Sequence, residues 1–281
     1  MTAQPDQVRG GIRGRFSTLP VRLATGILYA ATFIGAMAWG NPYAVAAVCA
    51  LFAGGAVDEF IRIAHRAEVG GRDLLAVGAA VALPFMVAAE GTAVFPIAFT
   101  VVLIIVTIRH VAQRRPSIAH SALTVFGMVY VGFSLSHLVL IRALDDGVFW
   151  TLTVLVSVWA NDVFAYLAGS AIGRHKMAPR ISPKKTWEGF IAGTLASIAV
   201  WVGVGFLADL PLSLGVLAAV GFVLGLVGVG GDLFESRIKR EVGVKDSGNV
   251  LPGHGGFLDR VDSLLAVSVV GYYILVAVGV S

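Results

Sequence analysis

The chain has 281 residues, 57% of them hydrophobic and only 14% charged, with a formal net charge of +4. A soluble domain of this size carries roughly 25% charged residues, so a water-soluble globular class is excluded. The cations sit in short loops between apolar runs, which excludes a nucleic-acid surface and points to contact with anionic headgroups.

Stretches of about 20 apolar residues are long enough to cross a bilayer as helices. Nine are predicted, at roughly 22–40, 43–61, 74–90, 93–110, 121–141, 149–172, 187–208, 212–233 and 263–281. Pro84 interrupts the third. Cytoplasmic loops carry the excess of Lys and Arg, and this count puts all of the 21 except Arg142 on one side. The expectation is an all-α polytopic membrane protein of about nine transmembrane helices, amino terminus cytoplasmic and carboxyl terminus outside. It forms one integral membrane domain over 1–281 in the cell (plasma) membrane. No cleavable signal peptide is expected, because removing the long first run would spoil the alternation. Cys49, within the second span, has no partner for a disulfide and reads as a buried inert thiol.

In chain order, Asp58 and Glu59 near the end of the second span read as interfacial. His110, His120 and His137 read as packing or interfacial residues. The first polar zone runs from the sixth span into the next loop. Asn161, Asp162 and Tyr166 lie within an apolar segment there. An intramembrane acid is costly and faces a partner or a wet cavity. Gly169 and Gly173, four residues apart, let another helix approach closely. In Ile181-Ser182-Pro183-Lys184-Lys185-Thr186, Ser182 is expected to cap a helix that Pro183 begins. Lys184 and Lys185 beside that helix start would make an anion site.

The second zone lies between the last two spans and holds the densest charge in the chain. If the eighth helix continues, Asp232, Ser236, Lys239 and Arg240 share a face. Glu235 and Lys239 form an i, i+4 pair on a neighbouring strip, expected to be structural. Lys245 and Asp246 follow, and then a glycine-rich loop containing His254, Gly255 and Gly256. Such a loop can turn backbone amides toward a phosphate, and His254 can add a hydrogen bond or proton. Asp259, Arg260 and Asp262 open the last span, the two acids one turn apart and able to point toward Asp232. Separated acids meeting at a helix end suit Mg²⁺, which takes a few carboxylates plus phosphates and water. Scattered histidines and a single cysteine provide no zinc spacing. Acids, cations and a glycine loop at a membrane boundary point to metal-assisted chemistry on phosphate esters, one of them a lipid. A transporter or scramblase for anionic lipids would instead spread polar residues through the bilayer depth.

The second zone also resembles the signature of the CDP-diacylglycerol synthase family, the phosphatidate cytidylyltransferases. The matching positions are Ser236, Lys239, Arg240, Lys245, Asp246, Gly248, Leu251, Pro252, His254, Gly255, Gly256, Asp259, Arg260 and Asp262. The Asn161-Asp162 and Ile181-Ser182-Pro183-Lys184-Lys185 segments resemble the family too, so the likeness covers at least 159–281, with the catalytic elements in 159–262. The amino-terminal half resembles it in topology only. The resemblance implies an enzyme that joins CTP to phosphatidic acid, giving CDP-diacylglycerol and pyrophosphate. It implies a homodimer, and a metal pair at Asp232 and Asp259, with K⁺ accompanying Mg²⁺. Lys239, Arg240, Asp246, Arg260 and Asp262 would be catalytic. Asn161, Asp162, Tyr166, Ser182, Lys184, Lys185, Ser236, Lys245, His254, Gly255 and Gly256 would bind substrate. Another CTP-dependent lipid enzyme, such as a polyprenol kinase or an ether-lipid CDP synthase, is the alternative.

Overall fold

The computed structural model describes residues 26, 30–37, 41–65, 73–208, 212–248 and 255–280. After a helical stretch at 30–37 come α1 (Pro42–His65), α2 (Leu74–Glu90), a 3₁₀ turn (Gly91–Ala93) and α3 (Val94–Ala112). Next is α4 (Ile118–Ala143), which contains a π-helical segment at Met128–Phe133, and then α5 (Gly147–Ala171). A two-stranded ribbon, β1 (Lys176–Ala178) and β2 (Ser182–Thr186), precedes α6 (Trp187–Leu207), α7 (Leu214–Glu241) and α8 (Leu258–Ala277). Seven helical stretches among the described residues are long and apolar enough to cross a membrane. The chain is a multi-pass membrane protein.

One of those stretches, Leu74–Ala112, holds two of the expected spans. Gly91, at φ 64°, sits in the left-handed region that glycine adopts without penalty, and the chain turns there. The turn closes a hairpin. Asp73, just before α2, accepts hydrogen bonds from Arg109, near the end of α3, at 2.7 and 3.0 Å. Asp73 also caps α2 by accepting from the Leu75 amide at 3.1 Å, and the Thr124 hydroxyl on α4 donates to it as well. Burial works against the Asp73 charge, but the Arg109 and Thr124 hydrogen bonds outweigh it and hold its carboxyl below the usual carboxylate range. Pro84 does not end α2, which runs through it. Neighbouring helices in membrane bundles accommodate the backbone group that proline frees. Of the expected span at 22–40 only 26 and 30–37 are described, and these are helical; the last helix begins at Leu258, five residues before the expected 263.

The carboxyl-terminal helices pack in sequence, α5 on α6, α6 on α7 and α7 on α8. Small residues make this possible. A Cβ on Gly193 of α6 would lie 2.7 Å from the Asn161 carbonyl of α5, and one on Gly231 of α7 would lie 2.7 Å from the Asp262 carbonyl of α8. Gly169 backs onto Thr186 and Gly189, as its spacing predicted. Cys49 is fully buried in the core.

The expected helix start at Ser182 is wrong. Ser182 to Thr186 form β2, paired antiparallel to β1 with Lys176 opposite Thr186 and Ala178 opposite Ser182. The cap is Thr186, whose hydroxyl accepts from the Gly189 amide at 3.2 Å. A two-stranded ribbon is all edge, so Pro183 can lie in it without a missing ladder bond. Once Thr186 supplies the cap, α6 needs no proline at its start.

Candidate functional site

The end of α5, the ribbon, the start of α6, the end of α7 and the start of α8 meet at one end of the bundle. There Asp162, Asp232, Lys239, Asp246, Asp259, Arg260 and Asp262 line one polar cavity of about 310 Å³. Two grooves run from it. One, of about 270 Å³, passes between α5 and the ribbon along Asn161, Tyr166, Lys184, Lys185 and Phe190. The other, of about 330 Å³, runs along Gly26, Ala30, Trp159 and Leu264. Asp162 belongs to the wall of all three spaces.

Helix periodicity accounts for much of this. Asp232 and Ser236 are one turn apart on α7, and the Ser236 hydroxyl donates to Asp232 at 3.1 Å. Lys185 reaches from β2 to Asp232 at 2.7 Å, so the ribbon ties the two polar zones together. Lys239 lies a further turn along α7, almost buried. Its ammonium sits 2.5 Å from Glu235 and 2.5 Å from Asp259 on α8. The Glu235–Lys239 pair therefore extends beyond a surface strip: Glu235 is fully buried and the pair continues to Asp259.

Asp259 is the most heavily bonded acid in the cavity. Its Oδ2 accepts from the Ser247 amide at 3.0 Å and the Gly256 amide at 2.8 Å, and the Ser247 hydroxyl oxygen lies 3.0 Å from it. Gly255 holds φ 83°, and a Cβ there would lie 2.6 Å from Asp259 Oδ2, so only glycine fits this approach. Asp262 takes the Ser263 amide at 2.7 Å.

Other expected site residues take different places. Arg240 points away from the cavity, donating to the carbonyls of Ile181 at 3.1 Å and Val244 at 2.9 Å, and so holds the ribbon and the following turn. At position 240 the side chain has left the face shared by Asp232 and Ser236. Asn161 is buried and donates to the Gly225 carbonyl of α7 at 3.1 Å while still bordering the ribbon groove. Tyr166 and Lys184 are exposed along that groove, and Lys245 is exposed outside the cavity lining. His254, with Leu251 and Pro252, lies outside the described residues.

Two participants went unread in the sequence. Glu59 was expected at the interface, yet it is fully buried beneath the glycine loop, its Oε2 accepting from the Ser247 hydroxyl at 2.8 Å and the Leu258 amide at 2.9 Å. An acid in an apolar span was itself a signal, but its place near the span's end made headgroup contact look sufficient. Asp58, its neighbour, does turn outward and pairs with Arg62 at 3.0 Å. Ser247 sits at a variable position of the signature and gave no signal.

Five carboxylates and two cations around one recess leave a negative field, and an all-oxygen donor set suits a hard cation such as Mg²⁺. Among the described residues no three acids or histidines close on a single point. Mg²⁺ asks for less, one or two carboxylates with substrate phosphates and water completing its shell. The residues present fit that ion.

A helical membrane bundle with a recess at one end, lined by five carboxylates and two cations, defines the class. A sequence model of the cytidylyltransferase family matches residues 20–278, and the chain belongs to that family. It is similar to a phosphatidate cytidylyltransferase of Staphylococcus haemolyticus (strain JCSC1435), 41% identical over 156 residues, which are 56% of this chain and 59% of the relative. A protein of the same name from Brucella abortus biovar 1 (strain 9-941) is 45% identical over 147 residues, 52% of this chain and 54% of the relative. A third, from Staphylococcus aureus (strain COL), is 40% identical over 156 residues, 56% of this chain and 59% of the relative. The chain thus spans between half and three fifths of the length of these relatives.

Proposed function

We propose that this protein is a CTP:phosphatidate cytidylyltransferase that forms CDP-diacylglycerol and pyrophosphate in phospholipid biosynthesis. The observation that carries the reading is the meeting of Asp232, Asp259, Lys239 and Arg260 around one cavity, within a segment bearing the family's signature. The bundle is read as nine spans with the amino terminus inside, in the plasma membrane, working as a homodimer with the cavity facing the cytoplasm where CTP is available.

In the reaction an oxygen of the phosphatidate phosphate attacks the α-phosphorus of CTP. The new P–O bond forms as the bond from the α-phosphorus to the bridging oxygen breaks, and pyrophosphate leaves with that electron pair. The attacking phosphate is already ionised near neutral pH, so no strong general base is needed. Alignment and charge neutralisation supply the acceleration. Asp232 and Asp259 would hold Mg²⁺, with K⁺ beside it, and the bound cations would neutralise phosphate oxygens. Asp162, Asp246 and Asp262 keep the recess negative around them. Arg260 and Lys239 offset charge on the triphosphate. Lys184, Lys185, Asn161 and Tyr166 line the ribbon groove and would contact one of the two substrates, with Lys185 drawing its position from Asp232. Arg240 and Ser182 support the ribbon, Ser236 orients Asp232, and Gly255 and Gly256 let the loop reach Asp259. Lys245 and His254 would attract the nucleotide from the loop.

Purified protein given labelled CTP, phosphatidic acid and Mg²⁺ should yield a CDP-lipid and pyrophosphate in equal amounts. A lipid carrying only the γ-phosphate would overturn the reading in favour of a kinase.

A further inference from the structure

We propose that Glu59 is a positioning residue for Asp259, acting as a staple that joins the two ends of the glycine loop from beneath. The proposal rests on the reading of Asp259 as a working carboxylate of the cavity. Glu59 comes from α1, far away in sequence, and is fully buried. One of its oxygens, Oε2, holds both ends of the loop at once: the Ser247 hydroxyl at 2.8 Å and the Leu258 amide at 2.9 Å. Those same ends aim the Ser247 and Gly256 amides at Asp259 Oδ2.

The Ser247 hydroxyl has a single proton and two carboxylates within reach. Asp259 Oδ2 already accepts two amides, so the proton serves Glu59 over the shorter distance. Backbone and side chain of one serine thus serve two acids, and fixing the side chain fixes the amide. The contact is close-fitting. A Cβ on Gly256 would overlap both Glu59 and the Ser247 hydroxyl, and one on Gly248 would lie 2.5 Å from Glu59 Oε1. The same face of α1 seats the loop's aromatic residue, with Phe52 packing edge-on to Phe257 at 5.4 Å and Gly55 leaving room for that ring. Glu59 Oε1 has no hydrogen-bond partner among the described residues. A buried acid so sparsely satisfied is costly, and an apolar residue would fill the space more cheaply if packing were its only task.

The test compares wild type, Glu59→Ala and Glu59→Gln by hydrogen–deuterium exchange in detergent, without metal or nucleotide. Peptides carrying the Ser247, Gly256 and Leu258 amides should exchange at least tenfold faster in Glu59→Ala, with the helices unchanged. Glu59→Gln should stay within threefold of wild type, because its carbonyl oxygen, placed where Oε2 lies, can accept from both the Ser247 hydroxyl and the Leu258 amide. In turnover, Glu59→Ala should raise the half-activating Mg²⁺ concentration at least tenfold with the KM for phosphatidate within threefold, and Glu59→Gln should restore it. Where Glu59→Ala fails to insert, Ser247→Ala serves, and the same peptides should loosen with Glu59 in place. Unchanged exchange in the recovered variant, or equal loosening in Glu59→Gln and Glu59→Ala, would overturn the staple. Absence of CDP-lipid from the wild type would instead defeat the catalytic reading and leave the exchange result to judge the staple alone.

Discussion

Changing Asp232 to asparagine removes one charge from the cavity it shares with Asp162, Asp246, Asp259 and Asp262, and keeps the side-chain shape. Two effects oppose each other. A carboxylate and a cation about 4 Å apart attract by roughly 4 kcal/mol at the effective dielectric near a protein surface. Against this, Lys185 is released from its 2.7 Å pairing, and Asp232 is 29% exposed, so solvent already screens part of the attraction. Screening and the freed lysine together return on the order of 1 kcal/mol, the scale of a partly exposed ion pair. The net loss is about 3 kcal/mol, or roughly two orders of magnitude in rate at 1.36 kcal/mol per tenfold. Pyrophosphate release from purified Asp232→Asn, measured across a Mg²⁺ titration, should show that loss together with a higher half-activating Mg²⁺ concentration. Glu241→Gln is the control, since its pair with Arg237 is exposed on both sides. If Asp232→Asn stays within threefold of wild type at every Mg²⁺ concentration, the assignment of Asp232 to a cation is refuted.

Asp259→Asn should likewise cost at least about 100-fold in turnover, while size-exclusion behaviour in detergent stays that of wild type, because Lys239 keeps Glu235 as a partner. Asp73→Asn should keep the α2 cap but lose the ion pair to Arg109, lowering stability by about 2–3 kcal/mol because Arg109 is partly exposed. The Asp73 carboxyl is held below its unfolded value, so its contribution is present above about pH 4 and fades as pH falls through the folded value. The difference in thermal midpoint between wild type and Asp73→Asn should therefore shrink in acid. Gly193→Ala should cost about 1–3 kcal/mol, since its Cβ would lie 2.6 Å from Asn161 Oδ1 and 2.7 Å from the Asn161 carbonyl. A Cβ at Gly203 on the same helix would meet nothing within 4 Å among the described residues, so Gly203→Ala should leave the midpoint unchanged.

The apolar runs were legible because a helix in lipid must satisfy its own backbone, which leaves hydropathy as a dependable guide. Asp162 was legible for a related reason, since an acid inside an apolar span is too costly to be incidental, and the other cavity acids because they crowd the charged segment between the last two spans. The ribbon was not. Ser182-Pro183 is a common helix opening, and nothing local says that Lys176 to Ala178 will fold back to pair with it or that Thr186 will supply the cap. Arg240 matched the signature as well as Lys239 did, and only the tertiary position of Ile181 decides that it serves the ribbon. Glu59 illustrates the same limit. Its two partners come from the far end of the chain, and no local pattern announces a contact across that separation.

The antiparallel closure of α2 on α3 bears on the direction of the helices that follow it. A pair of antiparallel passes whose ends are joined by Asp73 and Arg109 returns the chain to the side from which it set out, so the pair leaves the direction of every later helix unchanged. Among the described residues, neither helix of that pair lines the acidic recess or the two grooves opening from it. Within the pair the two helices differ: α2 packs on α1 and α4, so changes in it reach the core, whereas α3 is exposed along most of its length and can follow its lipid surroundings without disturbing the reactive end.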